Sequence, residues 1–484
     1  PIDCGASLSG EMATVRRCAT IAGRPLTWEE CMETTRLTRR TLMQSAAAAA
    51  TLAGAPLAGA PFVRGAHAAG KLSVAVWDHW VPGANDVLEK LGREWAAKEK
   101  VELTIDFVTS QGDKLMLMGA AEGQARSGHD VVGQPSWYAA AKADMWEPAD
   151  DLMATLIGKY GKPSAAVEYL GKQNGHWIAV PSIPNTLTLP SVGRIDLFKQ
   201  YVGLDLTKMY PAGTPPDKEL TDNWTWDFWL DAAGKLHKAG FPFGMPLGQT
   251  GDSMNWVGAI FAAHGAEMVD KDGNITVKSA ATKHMLDFFK KLVPLLPDGV
   301  FAWDDSSNNK ALISGQSALI MNPPSAWAVA VRDAPKVAEQ CWHFPSPKGP
   351  KGRFDPAQPS YWGIWNFSPN KSAGKSLLLH LWEKDSVEQL VAGSKGYDIP
   401  AFGTLRDFKT WAEEGPPKGG IWNYPPRGDV IESVSGSPAP MRIGNQIFAQ
   451  ATTTKMIAQY TQQGKTMDQA MDWAAGELEG FSRS

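Results

Sequence analysis

The chain has 484 residues, 43% of them hydrophobic, with 47 Lys and Arg against 51 Asp and Glu and a formal net charge of −4. A mildly acidic balance argues against nucleic acid, which is bound through clustered positive charge. The length exceeds a single ordinary core, so two domains are expected.

Thr38 to Pro61 reads TRRTLMQSAAAAATLAGAPLAGAP. A membrane span needs about 20 strongly apolar residues, and this stretch is mostly small residues interrupted by Pro56 and Pro61. A core helix would not carry Pro and Gly at that density. A basic front, a weakly apolar middle and a small-x-small end instead describe an export signal. Thr38-Arg39-Arg40-Thr41-Leu42-Met43 resembles the twin-arginine export motif, and Ala66-His67-Ala68 supplies an A-x-A site. Residues 36–68 are therefore expected to be a twin-arginine signal peptide, cleaved near Ala68. Residues 1–35 are expected to be a disordered extension or a mis-assigned start. Residues 1–68 take 7 basic and 5 acidic residues, leaving 40 against 46, or net −6. They also take Cys4, Cys18 and Cys31, so Cys341 alone remains and no internal disulfide is expected. No later stretch is apolar enough to span a bilayer, and a soluble exported product is expected.

Lys71–Trp77 alternates and is β-branched, which predicts a buried strand. Asp86–Lys98 places apolar residues at helical spacing, Val101–Val108 alternates as a second strand, Leu115–Ala125 is helical, and Asp130-Val131-Val132 is a third, short strand. Strand, helix, strand, helix, strand predicts a parallel sheet with crossover helices. His176–Pro181 reads as a strand after a Gly turn. Trp226–Ala239, Asn255–Gly265 and Ala280–Leu295 read as helices, the second closed by Gly265. Val269–Val277 reads as a hairpin with an Asp-Gly turn. Asn308–Ser314 is a short helix ahead of strand Ser317–Met321. After the Pro-rich loop Pro345–Pro359 come strand Tyr361–Asn366, helix Ala373–Trp382 and a last helix, Met467–Leu478.

Ligands of such sheets bind beyond the carboxyl ends of the strands. Those tips carry Trp77-Asp78-His79-Trp80 and Gln134-Pro135-Ser136-Trp137. Both pair an indole with hydrogen-bonding groups, as a polyhydroxylated ligand requires: its apolar face stacks and its hydroxyls need polar partners. Tryptophan is the compositional outlier at 20, of which only Trp28 precedes residue 69; most should fill the core. Several motifs fail. Counted from Asp270, a calcium loop would need Gly and Glu where Ile275 and Ala281 stand. Gly374-Lys375-Ser376 lacks the earlier Gly of a phosphate loop, which falls at Pro369. There is no G-x-S-x-G or H-E-x-x-H, and the histidines show no metal-ligand spacing, so neither a catalytic set nor a metal site nor a cofactor is expected. His79 and His264 read better as structural residues than as ligands. A glycosidase carboxylate pair is not readable from sequence alone, because it is defined by a separation in space.

Six stretches in order resemble the extracellular solute-binding proteins of ABC importers, in the carbohydrate-binding group that includes maltose-binding protein. They are Lys71–Asp78, Asp130–Val132 with Trp137, Gly175–Pro181, Trp224-Thr225-Trp226-Asp227, Ala311–Asn322, and Tyr361–Ile364 with Ser368-Pro369-Asn370-Lys371. The resemblance implies an α/β, two-lobed periplasmic-binding-protein fold. Each lobe would be a mainly parallel sheet flanked by helices, the lobes hinged at about three chain crossings. Residues 69–183 and 346–382 would form the first lobe, 184–345 and 383–484 the second. It further implies a periplasmic, monomeric binding protein, not an enzyme, that hands a carbohydrate or polyol to permease subunits in the inner membrane. Asp78 falls where the family has an acidic hydroxyl ligand and Trp137 at the first-lobe aromatic. Asn185 falls where maltose-binding protein has a glutamate. Asp252 and Ser253 lie in the second-lobe ligand loop Gly251–Asn255, with Trp256 in the helix after it. Ser325 replaces a stacking Trp, with Trp327 two residues on, and Asn322 closes the preceding strand. Tyr361 and Trp362 lie at a further strand end. Trp77, His79, Trp80 and Gln134 complete the expected ligand-binding set. Two alternatives remain: a secreted carbohydrate-active hydrolase, or the same fold with a non-sugar solute such as a polyamine. A polyamine site would want several acidic groups near aromatics, and Asp78 is the only acid at the strand tips, so a neutral ligand is expected.

Overall fold

Lys71–Trp77, buried at Leu72 and from Val74 to Val76, is the first strand, β1, of the computed structural model, which describes residues 70–109 and 113–483. The expected signal peptide and the extension before it lie outside the described residues. β2 (Glu102–Val108) pairs with β1 in parallel over its whole length, Lys71 opposite Glu102. β3 (Val131–Pro135) pairs in parallel with the other side of β1. Each crossover is a helix, Ala84–Glu99 and Lys114–Ala125, within two residues of the predicted spans. The first ends at Lys100 in the left-handed region, φ 57°, where the chain turns back into β2.

The predicted strand His176–Pro181 splits in two: His176–Trp177 pairs back on Lys172–Gln173, and β4 (Val180–Pro181) joins the first sheet. The chain then leaves this sheet for a second one, made by β5 (Ser191–Arg194), β6 (Leu319–Met321) and β7 (Cys341–Phe344). It returns through β8 (Gly352–Gln358), which interrupts the predicted Pro-rich loop, and β9 (Ser360–Ile364). The first sheet has the order β2-β1-β3-β9-β4 and the second β7-β5-β6.

The sheets are less parallel than expected. β9 runs antiparallel to both β3 and β4, and the second sheet is wholly antiparallel, with β5 between β6 and β7. β6 and β7 are parallel to each other and joined through helix Ser325–Asp333. The helical crossover unit is therefore present, but β5 is inserted in its middle. At the passage between sheets, Leu187–Thr188 pairs with the end of β8, Ala357 opposite Thr188.

Two other readings are corrected. The Val269–Val277 hairpin reduces to one bridge, Val269 with Ile275, because the Asp270 carboxylate accepts the backbone N–H groups of Asp272 and Asn274 and holds a loop. The helix expected from Asn255 begins at Gly251, where Thr250 Oγ1 caps the N–H of Ser253. Helix Lys384–Gly393, expected with the second lobe, packs on Ala84–Glu99 beside the first sheet. Among the described residues no helix is long and apolar enough to cross a membrane.

Candidate functional site

Strand ends from both sheets converge on one open cavity, about 950 Å³ of empty space when its solvent-filled mouth is included. Trp77 and Trp80 reach it from the end of β1. Ser136 and Tyr138 reach it from the turn after β3, and Asp113 and Met116 from the start of helix Lys114–Ala125. Facing them are Asp252 in the first turn of helix Gly251–His264, Asp305 and Asn309, and Asn322 and Ser325 just beyond β6. The passage between the sheets contributes Thr186, Gln358 and Ser360, and the C-terminal third adds Tyr397 and Phe448.

Local chemistry explains how these groups are held. Ser136 adopts φ 45° and ψ −125°, a conformation costly for a residue with a side chain. Its N–H bonds to Pro359 O at 2.6 Å, which ties the tip of β3 to the passage strand. The Ser136 side chain is buried and its Oγ has no hydrogen-bond partner. On the opposite wall, Asn322 Nδ2 donates to Asn309 Oδ1 at 2.6 Å and to Ser325 Oγ at 2.9 Å. Asn308 Nδ2 donates to Asp252 Oδ2 at 3.1 Å, and the Asp252 N–H donates to Asp305 Oδ1 at 3.2 Å. Burial, and then the neighbouring Asp305 charge, push the Asp252 carboxyl well above the ordinary range. Asp305 is raised too, chiefly by burial, against hydrogen bonds from Thr250 and the Asp252 N–H. Tyr138 is pushed up to about 12 by burial, with Asp113 and Asp305 adding to it.

Five of the expected site residues line this cavity: Trp77, Trp80, Asp252, Asn322 and Ser325. The others are placed elsewhere. Asp78 is exposed and its Oδ1 accepts from Asn85 Nδ2 at 2.7 Å. His79 stacks on Trp77, its Nδ1 accepts the Val81 N–H, and its Nε2 lies 3.3 Å from Asp398 Oδ1, so it braces the β1 tip. Gln134 is buried between Gly133 O and Lys142 Nζ. Trp137 is 1% exposed and turned away, its Nε1 donating to Ser435 O at 2.8 Å. Asn185 spends its Oδ1 on the N–H groups of Leu187 and Ser360, pinning the passage. Ser253 is buried with its Oγ against Thr250 Oγ1. Trp256 donates to Pro246 O and Trp327 to Pro416 O, both in the core. Tyr361 donates to Val167 O and is buried, as is Trp362.

The reason is largely geometric. Neighbouring side chains of a strand point to opposite faces, so at the β1 tip it is Trp77, not Asp78, that meets the cavity. At the antiparallel β9 only its first residue, Ser360, reaches it. Tyr138, Asp113, Asp305, Gln358 and Tyr397 went unread. Of these, Tyr138 had a signal, since it stands one residue beyond the tip sequence already singled out.

A profile of bacterial extracellular solute-binding proteins matches residues 90–415, and the chain belongs to that family. No curated protein sequence matches it. Among solved structures, maltose-bound MalE3 of T. maritima is similar at 17% identity and TM-score 0.65, covering 84% of this chain and 99% of that one. A chitin oligosaccharide binding protein is similar at 16% identity and TM-score 0.65, covering 86% and 99%. The GacH receptor of Streptomyces glaucescens, solved unliganded and with acarbose, is similar at 15% identity and TM-score 0.63, covering 85% and 98%. At these identities the likeness shows the shared two-lobed fold.

Proposed function

We propose that the chain is the periplasmic substrate-binding component of an ABC importer, and that it captures a carbohydrate or polyol in this cavity for delivery to a membrane permease. One observation carries the reading: the cavity pairs indole and phenol faces, Trp77, Trp80 and Tyr138, with amide and hydroxyl side chains from the opposite wall, Asn309, Asn322 and Ser325. Pyranose faces stack on aromatic rings while hydroxyls need donors and acceptors. The solved neighbours named for maltose, acarbose and chitin oligosaccharide support the same class.

The mechanism is closure. The two walls belong to different sheets, so a ligand that touches both stabilises the arrangement in which they approach. The permease would read that arrangement. In this reading the division into lobes follows the sheets, with helix Lys384–Gly393 joining the first. The protein works as a monomer, without nucleic acid, after export by the twin-arginine route and cleavage near Ala68.

Calorimetric titration against a panel of mono- and oligosaccharides and polyols tests this. Binding at roughly micromolar or tighter, about −8 kcal/mol or better, with no release of reducing ends, is expected. Turnover of a glycan would favour the hydrolase, with Asp252 and Asp305 as its first suspects.

A further inference from the structure

We propose that the solute carries a protonated amine beside its hydroxyls, as an amino sugar or amino polyol does, and that Asp305 and Asp252, with Ser136 opposite, recognise that group. This rests on the reading of the cavity as a sugar site. The cavity is lined by three carboxylates, Asp113, Asp252 and Asp305, and by no Lys, Arg or His. On the first wall, Lys142 has its Nζ against Gln134 Oε1 at 3.1 Å and the Tyr138 carbonyl at 3.3 Å. It pairs with none of the three. A buried carboxylate without a counter-charge is costly, and two of these sit in contact through the Asp252 N–H. A ligand cation would relieve both at once.

The second observation is independent of the acids. Ser136 Oγ is buried at the cavity wall and has no partner in the protein. Buried hydroxyls are nearly always satisfied, so this one is a vacant position for a ligand N–H or O–H. The aromatic faces of Trp77, Trp80, Tyr138 and Tyr397 add to the case, because ring faces attract ammonium groups. Burial raises the Tyr397 hydroxyl, with the charges of Asp398, Asp252 and Asp305 adding to it. An inorganic cation fits less well, since among the described residues no three His, Cys, Asp or Glu side chains come together as a metal site. Neutral-sugar recognition also uses carboxylates, but balanced ones suffice for hydroxyls; here the two buried ones, Asp252 and Asp305, face no cation in the cavity lining.

The test is calorimetric titration of the purified protein with glucosamine and its dimer against glucose and cellobiose, with spermidine and calcium chloride as further arms, at low and high salt. Charge-assisted hydrogen bonds predict that the amino sugar binds roughly ten- to a hundredfold tighter than its neutral counterpart. The gap should narrow in high salt. Asp305→Asn, which keeps an acceptor for the Asp252 N–H, should remove most of the gap between the amino sugar and its neutral counterpart. Equal affinity for the two sugars, or preference for the neutral one, overturns the proposal and leaves the sugar reading standing. Binding of calcium alone overturns it as well. Binding of spermidine but of no sugar keeps the ammonium recognition and removes the sugar reading. Silence in every arm removes both.

Discussion

Trp137 and Tyr138 are neighbours in sequence, and truncating them should have opposite consequences. Trp137 is 1% exposed, meets Tyr169 edge-on at 5.7 Å, and donates its Nε1–H to Ser435 O. It lies so close to Gly444 that a Cβ there would stand 2.6 Å from the indole. Nothing can collapse into the space it leaves without moving helix Met441–Ala449. Trp137→Ala should therefore cost about 3–5 kcal/mol of stability, the range for large aromatic truncations in a core. Tyr138 is half-buried on the cavity wall, with Phe448 edge-on at 6.5 Å and Lys142 5.9 Å from its ring. Tyr138→Ala leaves a gap that opens to the cavity and fills with water. It should cost little stability but roughly a tenfold or greater loss of ligand affinity, since a stacked ring contributes about 0.5–1.5 kcal/mol beyond its buried area. Urea melts of both variants without ligand, followed by calorimetric titration, separate the two effects. A Trp137→Ala protein that melts like the parent but binds poorly would refute the reasoning and restore Trp137 as the stacking platform.

Three further outcomes are expected. Arg353 is 1% exposed at its side chain and donates to Ser346 O, Thr221 O and the exposed Asp429 Oδ1, so Arg353→Met, which leaves the buried carbonyls unpaired, should lower stability by about 1–3 kcal/mol in urea melts; no measurable loss would show these carbonyls find other partners. His129 is pushed up from 6.5 to about 9 by its hydrogen bond to Glu122, against burial and with help from Asp106. Its contribution is thus fully present below about pH 6.5 and lost as pH rises through about 9, on the order of 1–2 kcal/mol after solvent screening. His129→Gln should flatten that part of the stability profile, and an unchanged profile would refute it. Arg39→Lys with Arg40→Lys should abolish export, read by fractionation and the mass of the mature protein; normal periplasmic yield would remove the twin-arginine proposal.

Regular elements were legible where one period dominated. Lys71–Trp77 was read to the residue because its β-branched, apolar run matches a buried strand. Helix Trp226–Lys238 carries Trp226, Trp229, Ala233 and Leu236 on one buried face and a Thr225 cap at its start. The antiparallel second sheet was not legible. Ser191–Arg194 is four residues long and contains Gly193, which must stay small because Leu206 and Phe344 pack at 2.9 Å from where a Cβ would be. Its partners lie more than a hundred residues onward, at Leu319–Met321 and Cys341–Phe344. No local pattern encodes such a pairing, and strand direction is free when the connection is that long.

The site failed differently, and the difference bears on what it recognises. At the expected strand tips, Trp77 lines the cavity and Asp78 beside it does not, and Tyr138 and Ser360 line it where Trp137 and Tyr361 had been expected. Each slip is one residue, and on a strand or a tight turn one residue reverses the face. With Asp78 outside the cavity, the first wall keeps its aromatic residues, Trp77, Trp80 and Tyr138, and is less acidic at β1 than it looked. The acids enter from elsewhere. Asp305 belongs to no regular element and is 53 positions from Asp252, whose N–H it accepts. Only the capped start of helix Gly251–His264, four residues earlier than periodicity placed it, aims that N–H at Asp305. The expectation of a neutral ligand rested on a lone acid at the tips. With that acid exposed and bound to Asn85, and three others lining the cavity, the electrostatic argument runs the other way.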